Sequence, residues 1–166
     1  MSPQTSLETI HEFLNQKRIA IIGVSREPRS FSMMLFGELL RCGYDPIPVN
    51  PHTPNVLGHH CFAHVQDVTP AVKAALLITP PQVTEMVVAD CARAGVRLVW
   101  MHRGVGTGAV SPKAVAFCRA QGIEVIAGEC PFMFLSPIGG IHRIHRFLHK
   151  ITGRYPKAIA KLENAA

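Results

Sequence analysis

The chain has 166 residues, of which 48% are apolar and 17% charged, a composition that suits one globular domain and excludes a disordered chain. The formal net charge of +6 favours anionic partners such as nucleotides, phosphorylated cofactors or nucleic acid. No stretch has the length and apolarity of a membrane span, and the first ten residues lack the pattern of a signal peptide. The five cysteines are odd in number and include no C-x-x-C pair, which predicts reduced thiols and a cytoplasmic location.

Strand and helix patterns alternate along the chain. Strands are predicted near 18–24, 46–50, 75–79, 97–102 and 123–128, and helices near 6–16, 31–41, 82–93 and 111–121. The strands are continuously apolar, which is typical of a parallel sheet buried on both faces. The pattern therefore predicts an α/β fold with three layers, a doubly wound, mainly parallel five-stranded sheet of the Rossmann-like type. Residues 52–70 are predicted to be a long connection.

The last part of the chain has a different pattern. Residues 1–137 are predicted to form the sheet domain together with the N-terminal helix, and residues 138–166 a basic amphipathic C-terminal helix and tail. The apolar stripe of that helix consists of Ile141, Ile144, Leu148 and Ile151. We expect the stripe to dock on the domain or on a second copy of the chain, which would make a homo-oligomer. A membrane or nucleic-acid helix is less favoured.

Ligands of such sheets bind outside the carboxyl ends of the strands, where the strand order reverses. The residues predicted to line this edge follow the first four strands. They are Gly23, Val24, Ser25 and Arg26, then Asn50 and Pro51, then Thr79, Pro80 and Pro81, and finally His102 and Gly104. A glycine turn between a strand and a helix lets a ligand approach the backbone, and the free N–H groups of the helix start attract negative charge.

Dinucleotide binding has little support in this turn. The G-x-G-x-x-G fingerprint is reduced to Gly23, with Ser25 and Pro28 at the other two positions. The acidic residue that would bind the adenosine ribose is absent after the second strand, where Asn50-Pro51 stands instead. An NAD(P)- or other nucleotide-binding, oxidoreductase-like protein remains the alternative hypothesis.

Four segments carry a resemblance when they are taken in order: IAIIGVSREPRSFSMMLFGELLRCGY, PIPVNP, VLGHHCFAHVQDV and LLITPPQVTEMVVADCARAGVRLVWMHRGV. Together they span about 18–130, and the chain resembles the small coenzyme A-binding proteins similar to the N-terminal domain of the succinyl-CoA synthetase alpha subunit. The sequence departs from that family at Ser32, where glycine is usual, and at His102, where glutamine is frequent.

The resemblance implies that the cofactor is coenzyme A or an acyl-CoA. Its adenosine and phosphates would run over Gly23, Ser25 and Arg26 and then over Asn50-Pro51, with residues 79–81 opposite. The synthetase subunit carries its phosphorylated histidine on a second domain, for which this sequence has no room, so the resemblance does not imply ligase activity. The expected role is a non-catalytic sensor, carrier or subunit.

Three other interpretations rest on small groups of residues or on the tail. Cys130 and His102 stand at neighbouring strand ends, where such a pair would allow acyl transfer, so an enzymatic role is left open. An inert structural thiol is the favoured interpretation of Cys130. The histidines at 52, 59, 60 and 64 lack a carboxylate or cysteine at ligand spacing, so no metal is expected. An interaction protein that uses its basic tail is the third hypothesis.

Overall fold

A five-stranded parallel sheet lies at the centre of the protein, with helices on both faces. The computed structural model describes residues 6–104 and 108–135. The four helices are α1 (Leu7–Asn15), α2 (Phe31–Arg41), α3 (Pro81–Arg93) and α4 (Pro112–Ala120). The strands are β1 (Arg18–Ile22), β2 (Asp45–Val49), β3 (Asn55–Val56), β4 (His59–His60), β5 (Ala74–Leu77), β6 (Leu98–Met101) and β7 (Glu124–Ala127). Short 3-10 turns lie at Val65–Asp67 and Pro131–Met133.

The strand order of the main sheet is β2-β1-β5-β6-β7, and every neighbouring pair is parallel. The chain therefore moves outward from β1 to β2 and then returns past β1 to β5. This reversal between β1 and β5 is the point at which ligands bind in doubly wound sheets. The predicted fold class, an α/β fold with a doubly wound, mainly parallel five-stranded sheet, is confirmed.

Alternate residues of each central strand feed two separate cores. Ile19 and Ile21 of β1 pack beneath α1 and α2, in the same core as Trp100 of β6. Ala20 and Ile22 pack on the opposite face, beneath α3 and α4. Successive side chains of a strand point to opposite faces, so a continuously apolar strand is what a sheet covered on both sides requires.

β2 contains two prolines, which are awkward in a central strand because proline cannot donate to the ladder. The structure places β2 at the edge of the sheet, where it pairs in register with β1 alone among the main strands. The outer side of β2 is covered by Phe62, whose N–H donates to the carbonyl of Pro48 at 3.0 Å. The edge position thus explains why Pro46 and Pro48 are tolerated.

The connection predicted over 52–70 contains regular structure that the sequence did not reveal. β3 and β4 form a small antiparallel hairpin, and the 3-10 turn Val65–Asp67 follows it. His59 of the hairpin packs edge-on against Phe36 of α2, with the ring centroids 5.5 Å apart. Strands of two residues are too short to produce a hydrophobic period, which is why this hairpin was missed.

The predicted C-terminal helix and the domain boundary at 137 lie outside the described residues, so both remain predictions. Within 6–104 and 108–135, no helix is long and apolar enough to cross a membrane.

Candidate ligand site at the carboxyl ends of the strands

A cavity of about 490 Å³ opens at the carboxyl ends of β1, β2 and β5, on the side covered by α3. Five of the predicted residues line it: Gly23, Asn50, Pro51, Thr79 and Pro80. Its size falls in the range of small-molecule sites, which is roughly 300–1,000 Å³. The sequence therefore predicted five residues that line a cavity at the reversal of strand order, and their contact with a ligand stays a prediction.

Gly23 brings β1 into close contact with the end of β5. Its φ is +92°, and a Cβ built on it would lie 2.8 Å from the carbonyl oxygen of Ile78 and 2.9 Å from Cγ2 of Thr79. A residue with a side chain would therefore be strained by its backbone conformation and would also collide with a neighbouring main chain. Gly23 is required for packing, besides any role in admitting a ligand.

Asn50 fixes the turn after β1 from the neighbouring strand. Its Nδ2 donates to the carbonyl of Val24 at 2.7 Å, and its Oδ1 accepts from the N–H of His52 at 2.8 Å. Both polar ends of this side chain are thus engaged inside the protein. Asn50 shapes the cavity wall through these two bonds.

Thr79 is engaged in a similar way. Its hydroxyl lies 2.7 Å from that of Thr84, and the Thr84 hydroxyl donates to the carbonyl of Pro80 at 3.2 Å. These bonds tie the end of β5 to the first turn of α3. Thr79 thus lines the cavity with its hydroxyl already bonded to that of Thr84.

Residues 24–30 form the turn that leads into α2. The Oγ of Ser30 caps the helix by accepting from the N–H of Met33 at 3.3 Å, and the buried Oγ of Ser32 accepts from the N–H of Ser25 at 2.9 Å. Ser32 thus closes the turn by a side-chain hydrogen bond. Arg26 is exposed on this turn. A guanidinium beside a helix start suits an anion.

The predicted residues divide between the two sides of the sheet edge. The side chain of Val24 is buried in the core beneath α1 and α2, and Pro81 is the first residue of α3. His102 is buried on the α2 side, where its ring stacks on Phe31 with the centroids 4.1 Å apart. Gly104 lies against this imidazole, since a Cβ at that position would be 3.3 Å from Nε2. The structure therefore separates His102 and Gly104 from the cavity.

The thiol of Cys130 and the imidazole of His102 are both held in their neutral forms. Burial raises the pKa of Cys130, although hydrogen bonds from the backbone of Phe132 and Met133 oppose the shift. Burial lowers the pKa of His102, and a hydrogen bond with the Glu129 backbone opposes it. A nucleophilic pair needs a thiolate and a base that accepts a proton readily. These shifts run against such a pair and favour a structural thiol.

Three polar residues of the cavity were not among the predicted ones: His52, His64 and Asp90. The carboxylate of Asp90 accepts from Arg93 and, at 3.3 Å, from Gln66. Val83 and Val87 of α3 supply apolar wall. Their spacing of four residues marks one side of a helix, and the right-handed crossover from β5 would have indicated that this side faces the sheet edge.

Across the described part of the chain, no three His, Cys, Asp or Glu side chains are grouped as metal ligands would be.

Comparison with known proteins identifies the family. The family described as CoA binding domain matches residues 17–136, which is most of the chain. The chain belongs to this CoA-binding domain family. The match includes every strand of the sheet and every residue predicted to line its carboxyl edge.

Relatives within the family differ greatly in size. The alpha subunit of acetate–CoA ligase [ADP-forming] II from Pyrococcus furiosus is 26% identical over 125 residues, which are 71% of this chain and 27% of that subunit. The matched part of the Archaeoglobus fulgidus acetate–CoA ligase [ADP-forming] II is 14% of that enzyme. The chain thus spans a small part of these ligases. By contrast, the uncharacterized protein YneT of Bacillus subtilis is 25% identical over 122 residues and is covered to 87%.

The fold of this CoA-binding domain is also found in solved structures. A hypothetical protein from Pyrococcus horikoshii OT3 superposes with a TM-score of 0.69 at 24% identity, covering 79% of this chain and 94% of that one. At this identity the likeness concerns the fold alone.

Proposed function

We propose that this CoA-binding domain binds coenzyme A or an acyl-CoA at the carboxyl edge of its sheet and acts without catalysis, as a sensor, carrier or subunit. The observation that carries the proposal is the position of the cavity. It opens at the reversal of strand order between β1 and β5, beside the close approach of Gly23 to Ile78. Doubly wound folds bind nucleotides at this point.

The two sides of the edge suit different parts of such a ligand. The cavity has apolar walls from α3, which suit the flat base of an adenosine, and His52, His64 and Asp90 add polar groups to the lining for its sugar. The turn at Gly23–Arg26 and the start of α2 suit the phosphates, because exposed Arg26 stands beside a helix start. The arm that ends in the thiol would then extend toward His102 and Gly104.

The proposal of a non-catalytic role rests on the buried groups at that far end. The raised pKa of Cys130 leaves little thiolate to attack, and the lowered pKa of His102 makes its neutral imidazole a weaker base. The activity of the acetate–CoA ligases is not proposed for this chain, because the matched region is 27% or less of those proteins. We propose instead that the domain supplies CoA binding alone.

Isothermal calorimetry with CoA, acetyl-CoA, NAD, NADP and ATP tests the proposal directly. We expect CoA, acetyl-CoA or both to bind, and the two dinucleotides to bind far more weakly or not at all. Binding of NAD or NADP in preference to CoA would replace the proposal with the oxidoreductase-like alternative. Incubation of acetyl-CoA with the protein, followed by mass spectrometry, tests the absence of catalysis: free CoA released faster than in buffer would contradict it.

A further inference from the structure

His102 joins the end of β6 to the start of α2. Its ring stacks on that of Phe31, the first residue of α2, with the centroids 4.1 Å apart and the planes 7° from parallel. Phe132 meets the same Phe31 ring edge-on, with the centroids 5.5 Å apart. Only 7% of the surface of His102 is exposed. The first residue of α2, itself half-buried, is therefore held by an aromatic contact with buried His102, which directly follows β6.

The buried ring has an unsatisfied atom. Nδ1 of His102 is shielded from solvent and has no hydrogen-bond partner. A buried polar atom without a partner is costly, and it becomes more costly when it carries a charge. A proton added at Nδ1 would create an N–H donor that faces no acceptor. The stacked arrangement is therefore compatible with a neutral imidazole and is disfavoured for an imidazolium.

Burial of the ring outweighs the one hydrogen bond, with the Glu129 backbone, that favours an imidazolium. Exposed Arg103 follows His102 along the chain, and Glu129 and Cys130 lie on the segment after β7. Burial raises the pKa of Glu129 and of Cys130, which withholds negative charge from the ring as the pH falls. From α2, the ring meets a helix N-terminus, whose partial positive charge also opposes a cation.

We propose that the Phe31–His102 stack is an acid-sensitive latch on the ligand site. Neutral His102 holds the start of α2 against the end of β6, and protonated His102 leaves the stack and releases Phe31. The phosphate-binding turn then loses its support, so that ligand affinity falls in acid. This proposal rests on the proposed function, because it regulates the same site.

The connection from the stack to the turn is short. Ser32 follows Phe31 directly, and its Oγ accepts from the N–H of Ser25 at 2.9 Å. The Oγ atoms of Ser30 and Ser32 lie 3.1 Å apart, and Ser30 caps the helix. A displacement of Phe31 would therefore move the hydroxyls that shape residues 25–30. His59 also packs on a phenylalanine of α2, but its partner Phe36 lies farther along the helix. That contact therefore offers no comparable connection to the turn.

The test combines binding and spectroscopy on the full chain. Calorimetry with CoA at about pH 7.5 and about pH 5.5 compares wild type with His102→Phe, which keeps an aromatic ring against Phe31 and cannot titrate. The phosphates of CoA titrate in the same range, so the quantity of interest is the difference between the two proteins. The matched control is His59→Phe, which also removes a histidine that contacts a phenylalanine. A parallel pH titration follows the ring proton resonances of Phe31 by NMR, without ligand.

From about pH 7.5 to about pH 5.5, we expect the CoA affinity of His102→Phe to fall least. The affinity of wild type and of His59→Phe should fall about fivefold or more beyond that, a loss comparable to one hydrogen-bonded contact. In wild type, the Phe31 resonances should lose their ring-current shifts in acid together with the titration of His102. Equal pH dependence in all three proteins, or Phe31 resonances that do not change while His102 titrates, would overturn the latch. If CoA fails to bind at either pH, the proposed function is wrong, and the NMR titration still decides whether the stack opens. It also decides the matter if His102→Phe does not fold.

Discussion

The side-chain amide of Asn50 donates to the backbone carbonyl of Val24 at 2.7 Å, which ties the end of β2 to the turn after β1. Asn50 is predicted to contact a ligand, and its amide also holds the wall of the cavity in shape. A change at Asn50 is therefore expected to act on binding through the position of the turn as well.

Replacement of Asn50 by Asp tests this relationship. The carboxylate keeps an oxygen for the N–H of His52 and loses the donor to Val24, which leaves that carbonyl without its partner. We expect the free energy of unfolding, measured by urea denaturation, to fall by about 1–3 kcal/mol and CoA affinity to fall with it. Asn55→Asp, at an exposed position of the hairpin, is the control. A variant as stable as wild type would show that the hydrogen bond contributes nothing to the turn.

Alanine substitutions at Gly23 and at Gly43 distinguish the cost of backbone strain from the cost of a steric collision. Both have positive φ, +92° and +77°, so alanine at either position is strained by about 1–3 kcal/mol. Only at Gly23 would the new Cβ also meet the backbone of Ile78, whereas nothing lies within 4 Å of the Gly43 position. We expect Gly23→Ala to lower the melting temperature clearly more than Gly43→Ala. Equal losses in the two variants would mean that the close approach at Gly23 relaxes freely.

Arg26 is the cation that we expect to contact the ligand phosphates. Charge-assisted hydrogen bonds contribute about 1.5–3 kcal/mol each, so Arg26→Ala should weaken CoA binding by roughly tenfold or more. The loss should shrink as salt is added, because the arginine is exposed. Arg119→Ala, on the exposed side of α4, should bind CoA like wild type in the same calorimetric titration. If both variants bind like wild type, the phosphates lie elsewhere.

The stability of the protein without ligand should depend on pH through His102. Its pKa in the folded state is lowered by burial from the ordinary 6.5. At pH values above 6.5 the ring is neutral in both states, whereas below 6.5 the unfolded chain binds the proton first. The free energy of unfolding should therefore fall as the pH drops through 6.5 toward the folded pKa. His102→Phe should remove this component from denaturation curves, and an unchanged pH dependence would mean that other groups cause it.

The predicted C-terminal helix can be tested by truncation after residue 137. If Ile141, Ile144, Leu148 and Ile151 pack against the domain or a second copy, each contributes on the order of 1.5–3 kcal/mol. We expect the truncated protein to melt at a lower temperature or to lose its oligomeric state by light scattering. If neither changes, the docking prediction fails and a tail that binds another partner is favoured.

The sequence by itself determined the order of the elements, and it predicted the edge of the sheet at which the cavity opens. Continuous apolar runs and helical spacing reveal local structure, because each reflects the period with which one element buries its own side chains. The same local signals identified Gly23, Asn50, Pro51, Thr79 and Pro80, all of which line the cavity.

Only the tertiary structure decided how those residues are used. Three contacts join residues of different strands, helices and turns. They are the stack of Phe31 on His102, the hydrogen bond from Asn50 to Val24, and the close approach of Gly23 to Ile78. Periodicity carries no record of such partners, because it describes one element at a time. Proline in β2 shows the same limit: it is unfavourable by local preference, and it becomes acceptable once the strand lies at the edge of the sheet.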